Sequence, residues 1–235
     1  MSNVCKLINY NFYAAKKSIF MAIGIFGIMW LITILTSFQF IALLPPACAA
    51  MVFESVFINE NKNNAKKVMG ILPIKRYEYV LSRYILLTIT AVVFAFISYG
   101  IIKLSNHISL FEMSEALRIN VFANNTADIV VSYAGIALCI GLSLGALHFF
   151  CHFVFSEDKA YLAITAGVII IMVGIPAALY FVSGDIETML ATLNKLPFKM
   201  ADNPNKFAGT AVLIGIAADI FFCILSVVIV NRKEI

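Results

Sequence analysis

Charge is what this sequence has least of. Asp, Glu, Lys and Arg make up 13% of its 235 residues. A water-soluble globule of that size cannot be dressed with so few charges, because its surface would be largely apolar. No polar stretch is longer than about 25 residues, too short to hold a soluble catalytic domain. The phosphate-binding pattern G-x-x-x-x-G-K-[ST] is missing, which excludes ATP hydrolysis by that route and leaves any nucleotide chemistry to another subunit. The five cysteines (Cys5, Cys48, Cys139, Cys151, Cys223) are scattered without a C-x-x-C pair. They read as buried apolar thiols.

What the chain has in abundance is apolar sequence: 62% hydrophobic residues and a mean hydropathy of +0.94. These residues fall in runs of about 20, the length that spans a bilayer. The expected fold is all-α, a polytopic membrane protein with six transmembrane helices. The spans are drawn at Ser18–Thr36, Phe40–Phe57, Tyr84–Ile102, Ile129–Phe153, Ala160–Val182 and Phe207–Val230. Only Ser37 and Gln39 interrupt the first two, so a tight hairpin is expected there. Pro45 and Pro46 then fall in the first turns of the second span, where a missing N–H costs little.

The basic residues orient the spans. With both termini in the cytoplasm, the inner segments hold Lys6, Lys16, Lys17, Lys62, Lys66, Lys67, Lys75, Arg76, Arg83, Lys159, Arg232 and Lys233. The outer segments hold Lys103, Arg118, Lys195, Lys199 and Lys206. Twelve against five follows the positive-inside rule for a bacterial plasma membrane. The net charge of +4 is therefore a topology signal, and no nucleic-acid partner is expected.

The leader is too polar, and the first apolar run too long, for a cleavable signal peptide. Residues 2–17 read instead as an amphipathic helix, with Val4, Leu7, Ile8, Phe12 and Ala15 on one face. Such a helix lies along the cytoplasmic membrane surface, with lipid as its partner. On the outer side, Ser109 and Glu112 form a capping box, and Asp185 caps a helix with an Ile186/Met189/Leu190/Leu193 stripe.

The inner segment between the second and third spans carries the most information. Gly70 and Pro73 break it into two helices. The first presents Val68, Met69 and Leu72 beside Lys66 and Lys67. An apolar tip ringed by positive charge suits a protein partner or a resting place on lipid headgroups.

The same segment resembles the permease subunits of type-2 ABC exporters, especially small six-span bacterial members. Glu60-Asn61-Lys62-Asn63 matches the start of their pattern, with Asn61 in place of an acid. Ile71-Leu72-Pro73 matches its core. Lys75-Arg76 and Val80-Leu81-Ser82-Arg83-Tyr84 match the run into the third span, with Arg83 in place of Lys. The resemblance implies one transmembrane domain over residues 1–235. Its parts are a surface helix (1–17), spans one and two (18–57), a cytoplasmic coupling loop (58–83) and the last four spans (84–230). It further implies that two six-span chains, identical or paralogous, form the translocation pathway. Their cargo would be amphipathic or hydrophobic, such as a peptide or antimicrobial. A separate ATP-binding cassette ATPase would carry ATP-Mg, and no cofactor belongs to this chain. Lys66, Lys67, Val68, Met69, Leu72, Pro73, Lys75 and Arg76 would form the ATPase-coupling element.

Within the spans, Asp219 stands near the middle of the sixth. A carboxyl there costs about 2.5–3.5 kcal/mol on insertion scales, so it must face water or a partner. It is a candidate for the pathway or a subunit interface, with hydrogen-bonded helix packing as the alternative. His148 and His152 lie one turn apart beside Cys151, a spacing that suits a metal, but no further ligand converges on them. Packing histidines are the better reading. Gly24, Gly27, Gly135, Gly141 and Gly145 mark close helix contacts. Two other classes compete with the permease. A stand-alone secondary transporter or channel would show internal repeats or paired interrupted spans, and neither is visible. An intramembrane enzyme would need acidic and histidine side chains converging at membrane depth.

Overall fold

The computed structural model describes residues 3–36, 39–53, 56–57, 75–108, 127–155, 157–185 and 203–232. Every described element is helical: α1 (Asn3–Ala14), α2 (Lys16–Thr36), the single turn α3 (Leu44–Ala47), α4 (Arg76–Ile108), α5 (Ala127–Val154), α6 (Glu157–Ser183) and α7 (Pro204–Arg232). At 1.5 Å per residue, the 21 residues of α2 extend about 31 Å, which matches the hydrocarbon thickness of a bilayer. Four helices are long and apolar enough to cross: Lys16–Leu35, Arg76–Ser105, Val130–Val154 and Pro204–Arg232. In α6 the described apolar stretch is Lys159–Ile170. This helix ends at Gly184, whose φ of +80° and N–H to Tyr180 O (2.9 Å) make a left-handed C-terminal cap.

The second apolar run departs from expectation. Instead of one helix over Phe40–Phe57, the chain forms a 3₁₀ turn (Gln39–Leu43), α3, and a second 3₁₀ turn (Ala49–Phe53). The prolines explain the break. Neither Pro45 nor Pro46 has an N–H, so a helix running through them would orphan two carbonyls of the preceding turn. Both sit in the first turn of α3, where the missing donors cost little. Irregular backbone survives at membrane depth only when it is buried in protein. This segment satisfies that condition, with Ala42, Ala49, Val52, Phe53, Val56 and Phe57 all buried.

α5 and α7 form the centre of the molecule. They run parallel and close, because Gly135 faces Ala208 and Gly215 faces Cys139 without an intervening side chain. α4 packs antiparallel to both, with Tyr84 reaching Ala146 on α5 and Ser226 on α7. α2 lies parallel to α4: the Phe26 and Phe94 rings meet edge-on at 5.3 Å, and Trp30 Nε1 donates to Ser98 Oγ at 3.1 Å. Of the marked glycines, Gly135, Gly141 and Gly145 make close contacts, whereas a Cβ built at Gly24 or Gly27 would meet nothing within 4 Å among the described residues of the other elements.

The N-terminal helix needs a correction of detail. Leu7 and Asn11 of α1, with Ala15 just past its end, form a buried stripe at i, i+4 and i+8, and Asn11 bonds to Ser82 near the start of α4. Phe12 lies a helical step from that stripe and is 52% exposed, beside the exposed Tyr10 and Tyr13. A polar residue, Asn11, takes the buried position because Ser82 supplies its hydrogen-bond partner.

Candidate functional site

Most of the predicted coupling element, Lys66, Lys67, Val68, Met69, Leu72 and Pro73, lies outside the described residues, as do the outer segments 109–126 and 186–202. Its last members, Lys75 and Arg76, open α4. The Lys75 N–H donates to Glu78 Oε2 at 3.0 Å, which is half of a capping box. The same carboxylate oxygen accepts from Asn3 Nδ2 at 3.3 Å and so ties α1 to the start of α4. Lys75 is exposed, its ammonium 5.8 Å above the Tyr77 ring. Arg76 donates to the carbonyls of Val230 (3.4 Å) and Asn231 (3.5 Å). A cation placed on the last carbonyls of α7 satisfies acceptors that the helix itself cannot, and it favours the negative end of the helix dipole.

One turn further, Asn11 Nδ2 donates to Ser82 Oγ (3.2 Å), which donates to Tyr79 O (2.7 Å). Arg83 is 1% exposed and donates to Tyr79 Oη at 3.2 Å. Its guanidinium lies 4.2 Å over the ring of Phe57. His152 of α5 stacks on the same ring, with centroids 4.7 Å apart and planes at 15°. Phe57 thus touches both the guanidinium of α4 and the imidazole of α5. Phe57 is the last described residue before the 58–74 segment, and Lys75 is the first after it. The Arg83–Phe57 contact therefore joins the chain that enters that loop to α4, which leaves it, and Phe149 and Phe153 of α5 back Phe57. An arginine over an aromatic face is worth about 2 kcal/mol when desolvated.

The histidine pair takes part in this aromatic packing. His148 and His152 have centroids 4.7 Å apart, and His152 also meets the Tyr161 ring edge-on at 5.6 Å. Among the described residues no three metal-ligand side chains cluster.

Asp219 lies deeper, at the seam between α4 and α7, and is 9% exposed. Thr88 Oγ1 is 3.0 Å from its Oδ2. Towards the start of α4, the Tyr84 and Ser226 hydroxyls meet at 2.8 Å, and Tyr84 Oη also donates to Ala146 O at 3.3 Å. With Arg76 on Val230, these contacts form three rungs of an antiparallel polar ladder. Of the rung residues, sequence reading singled out Arg76, as part of the coupling element, and Asp219. A signal for Ser226 was present: the buried stripe Ala208, Gly215, Asp219, Cys223, Ser226 and Val230 is made mostly of small residues and holds both Asp219 and Ser226, on a helix rich in Ile, Val and Phe.

An all-helical chain with long apolar helices and a polar junction at one end suits a membrane transporter subunit. The family profile of "ABC-2 family transporter protein" matches residues 6–232, and the chain belongs to that family. It is thus a membrane-embedded permease of an ABC transporter, a kind of subunit that associates with an ATP-binding cassette ATPase. Neither a curated protein nor a solved structure matches the chain.

Proposed function

We propose that this chain is the permease subunit of an ATP-driven exporter, paired with a second copy or a paralogue around a path for amphipathic or hydrophobic cargo. The observation that carries this reading is the family match over nearly the whole chain. ATP-Mg is bound and hydrolysed in a separate ATPase, and the 58–83 segment couples the two. Support for the coupling role comes from what surrounds that segment. The start of α1, the start of α4 and the end of α7 are tied together by Glu78 and Arg76, and the Arg83–Phe57 contact joins the chain that enters the loop to α4. A push on the loop thereby reaches several helices at once.

Six crossings with both termini in the cytoplasm remain the topology of choice. α2 and α4 run parallel, so the chain between them has to return to the starting side. α5 and α7 also run parallel, and α6 is the segment available to return between them. The basic residues favour the inner side for the 58–83 segment.

The test is purification from the native bacterial membrane in mild detergent, followed by mass spectrometry and an ATP hydrolysis assay. An ATP-binding cassette subunit should co-elute and hydrolyse ATP. Recovery of the chain without such a subunit, and without hydrolysis in the fraction, overturns the reading.

A further inference from the structure

From the polar ladder we infer that α4 and α7 part and close as a working joint, with the Thr88–Asp219 contact as its latch, and that opening brings the Asp219 carboxyl into contact with water. The inference deepens the permease reading and rests on it for its purpose, but it concerns this chain alone.

Three observations carry it. The first is a matter of protons. Thr88 has one hydroxyl proton, and two acceptors lie within reach: Asp219 Oδ2 at 3.0 Å and the carbonyl of Tyr84, in its own helix, at 2.9 Å. If α7 withdraws, that proton goes wholly to Tyr84 O, so Thr88 loses nothing. The second is the carboxyl itself. Asp219 Oδ1 is buried and has no hydrogen-bond partner among the described residues. A buried acceptor in that condition carries its full desolvation cost, and water entering the seam removes it. Closing favours neither partner strongly, which is what a reversible contact requires.

The third observation is the contrast between the two faces of α7. Against α5 it packs backbone to backbone at Gly135/Ala208 and Gly215/Cys139, with no room for a side chain between them. Against α4 it is held by side-chain rungs that can be broken one at a time. Interfaces of these two kinds make α5 and α7 one rigid unit and α4 the element that moves against it. α4 is also the helix that emerges directly from the 58–74 segment.

Cys223 stands in the same buried stripe, between Asp219 and Ser226, and reports on the seam. The experiment uses the full-length chain with Cys223 as its sole cysteine, reconstituted in liposomes. It measures the labelling rate by a charged, water-soluble maleimide. Thr88→Val removes the latch and leaves Asp219 without a partner, so labelling should be about threefold faster, the average worth of an interhelical hydrogen bond in a membrane. Thr88→Ser keeps the hydroxyl and should restore the original rate. Asp219→Leu makes the seam apolar and should slow labelling below it. Opposite signs for Thr88→Val and Asp219→Leu are the mark of a latch. Equal acceleration by both would mean loosened packing and would overturn the inference, as would a Cys223 that stays unreactive in every variant. If Thr88→Val fails to fold, the Asp219→Leu arm decides alone. Absence of an ATPase partner would overturn the permease reading without altering these rates.

Discussion

Gly141 marks the place where α5 crosses the broken 39–53 segment, and it offers a clean test of how tightly the two are joined. A Cβ built there would collide with the carbonyl oxygen of Pro46 and stand 2.9 Å from its carbonyl carbon. Both are backbone atoms of a turn fixed by two prolines, so neither can rotate away. Gly141→Ala must therefore push α5 off the segment, and strain of that kind costs about 1–3 kcal/mol. Gly100, in the last third of α4, is the control, since among the described residues nothing stands within 4 Å of a Cβ there. Each substitution gains the same intrinsic helix preference of Ala over Gly, roughly 1 kcal/mol. The gain cancels when the two variants are compared, and the difference between them is the strain alone. In a chain of this size about 2–4 °C corresponds to 1 kcal/mol, so their melting midpoints should differ by roughly 2–12 °C. The assay is thermal denaturation in detergent followed by size-exclusion chromatography. If Gly141→Ala melts with or above Gly100→Ala, the described contact between α5 and Pro46 is wrong.

Two further outcomes are expected. Tyr84→Phe removes the hydroxyl shared by Ser226 and Ala146 O; it should lower the melting midpoint by the equivalent of about 0.6–1.5 kcal/mol, and an unchanged midpoint would remove that rung from the ladder. Single cysteines at Asn63 and Asn203 should respond oppositely to an impermeant thiol reagent applied outside intact cells, Asn203 labelled and Asn63 protected; labelling at Asn63 would invert or redraw the topology.

The helices were readable because a membrane imposes one length and one chemistry on anything that crosses it. The apolar runs beginning at Ser18, Tyr84, Ile129 and Phe207 each fall within a helix of that length. The 40–57 run was apolar enough to look the same. Its prolines announce a helix start, but nothing local says that the residues before and after tighten into 3₁₀ turns. That outcome depends on burial between α4 and α5. Long-range partners were hidden for the same reason. Asn11 is buried because of Ser82, 71 positions away, and Asp219 because of Thr88, 131 positions away. Helical periodicity puts Phe12 with Leu7 and Ile8, and only the arrival of α4 decides that Asn11 turns inward in its place. Gly24 and Gly27 look like contact glycines in α2, yet among the described residues nothing packs where their Cβ atoms would stand. The charges at the loop were legible as a cluster, but Arg76 as a cap on α7 required the end of the chain to be in view.

The proposed junction between this permease and its ATPase is the 58–83 segment. The most direct measurement is copurification of the ATPase with Met69→Asp and Leu72→Asp variants, with cysteine labelling at Asn203 to verify insertion. A charge buried without a partner at a protein contact costs several kcal/mol, enough to lower affinity by two orders of magnitude or more, roughly. Both variants should insert normally, lose the ATPase on purification and show no ATP hydrolysis in the fraction. Full ATPase recovery with native hydrolysis in both variants would contradict it.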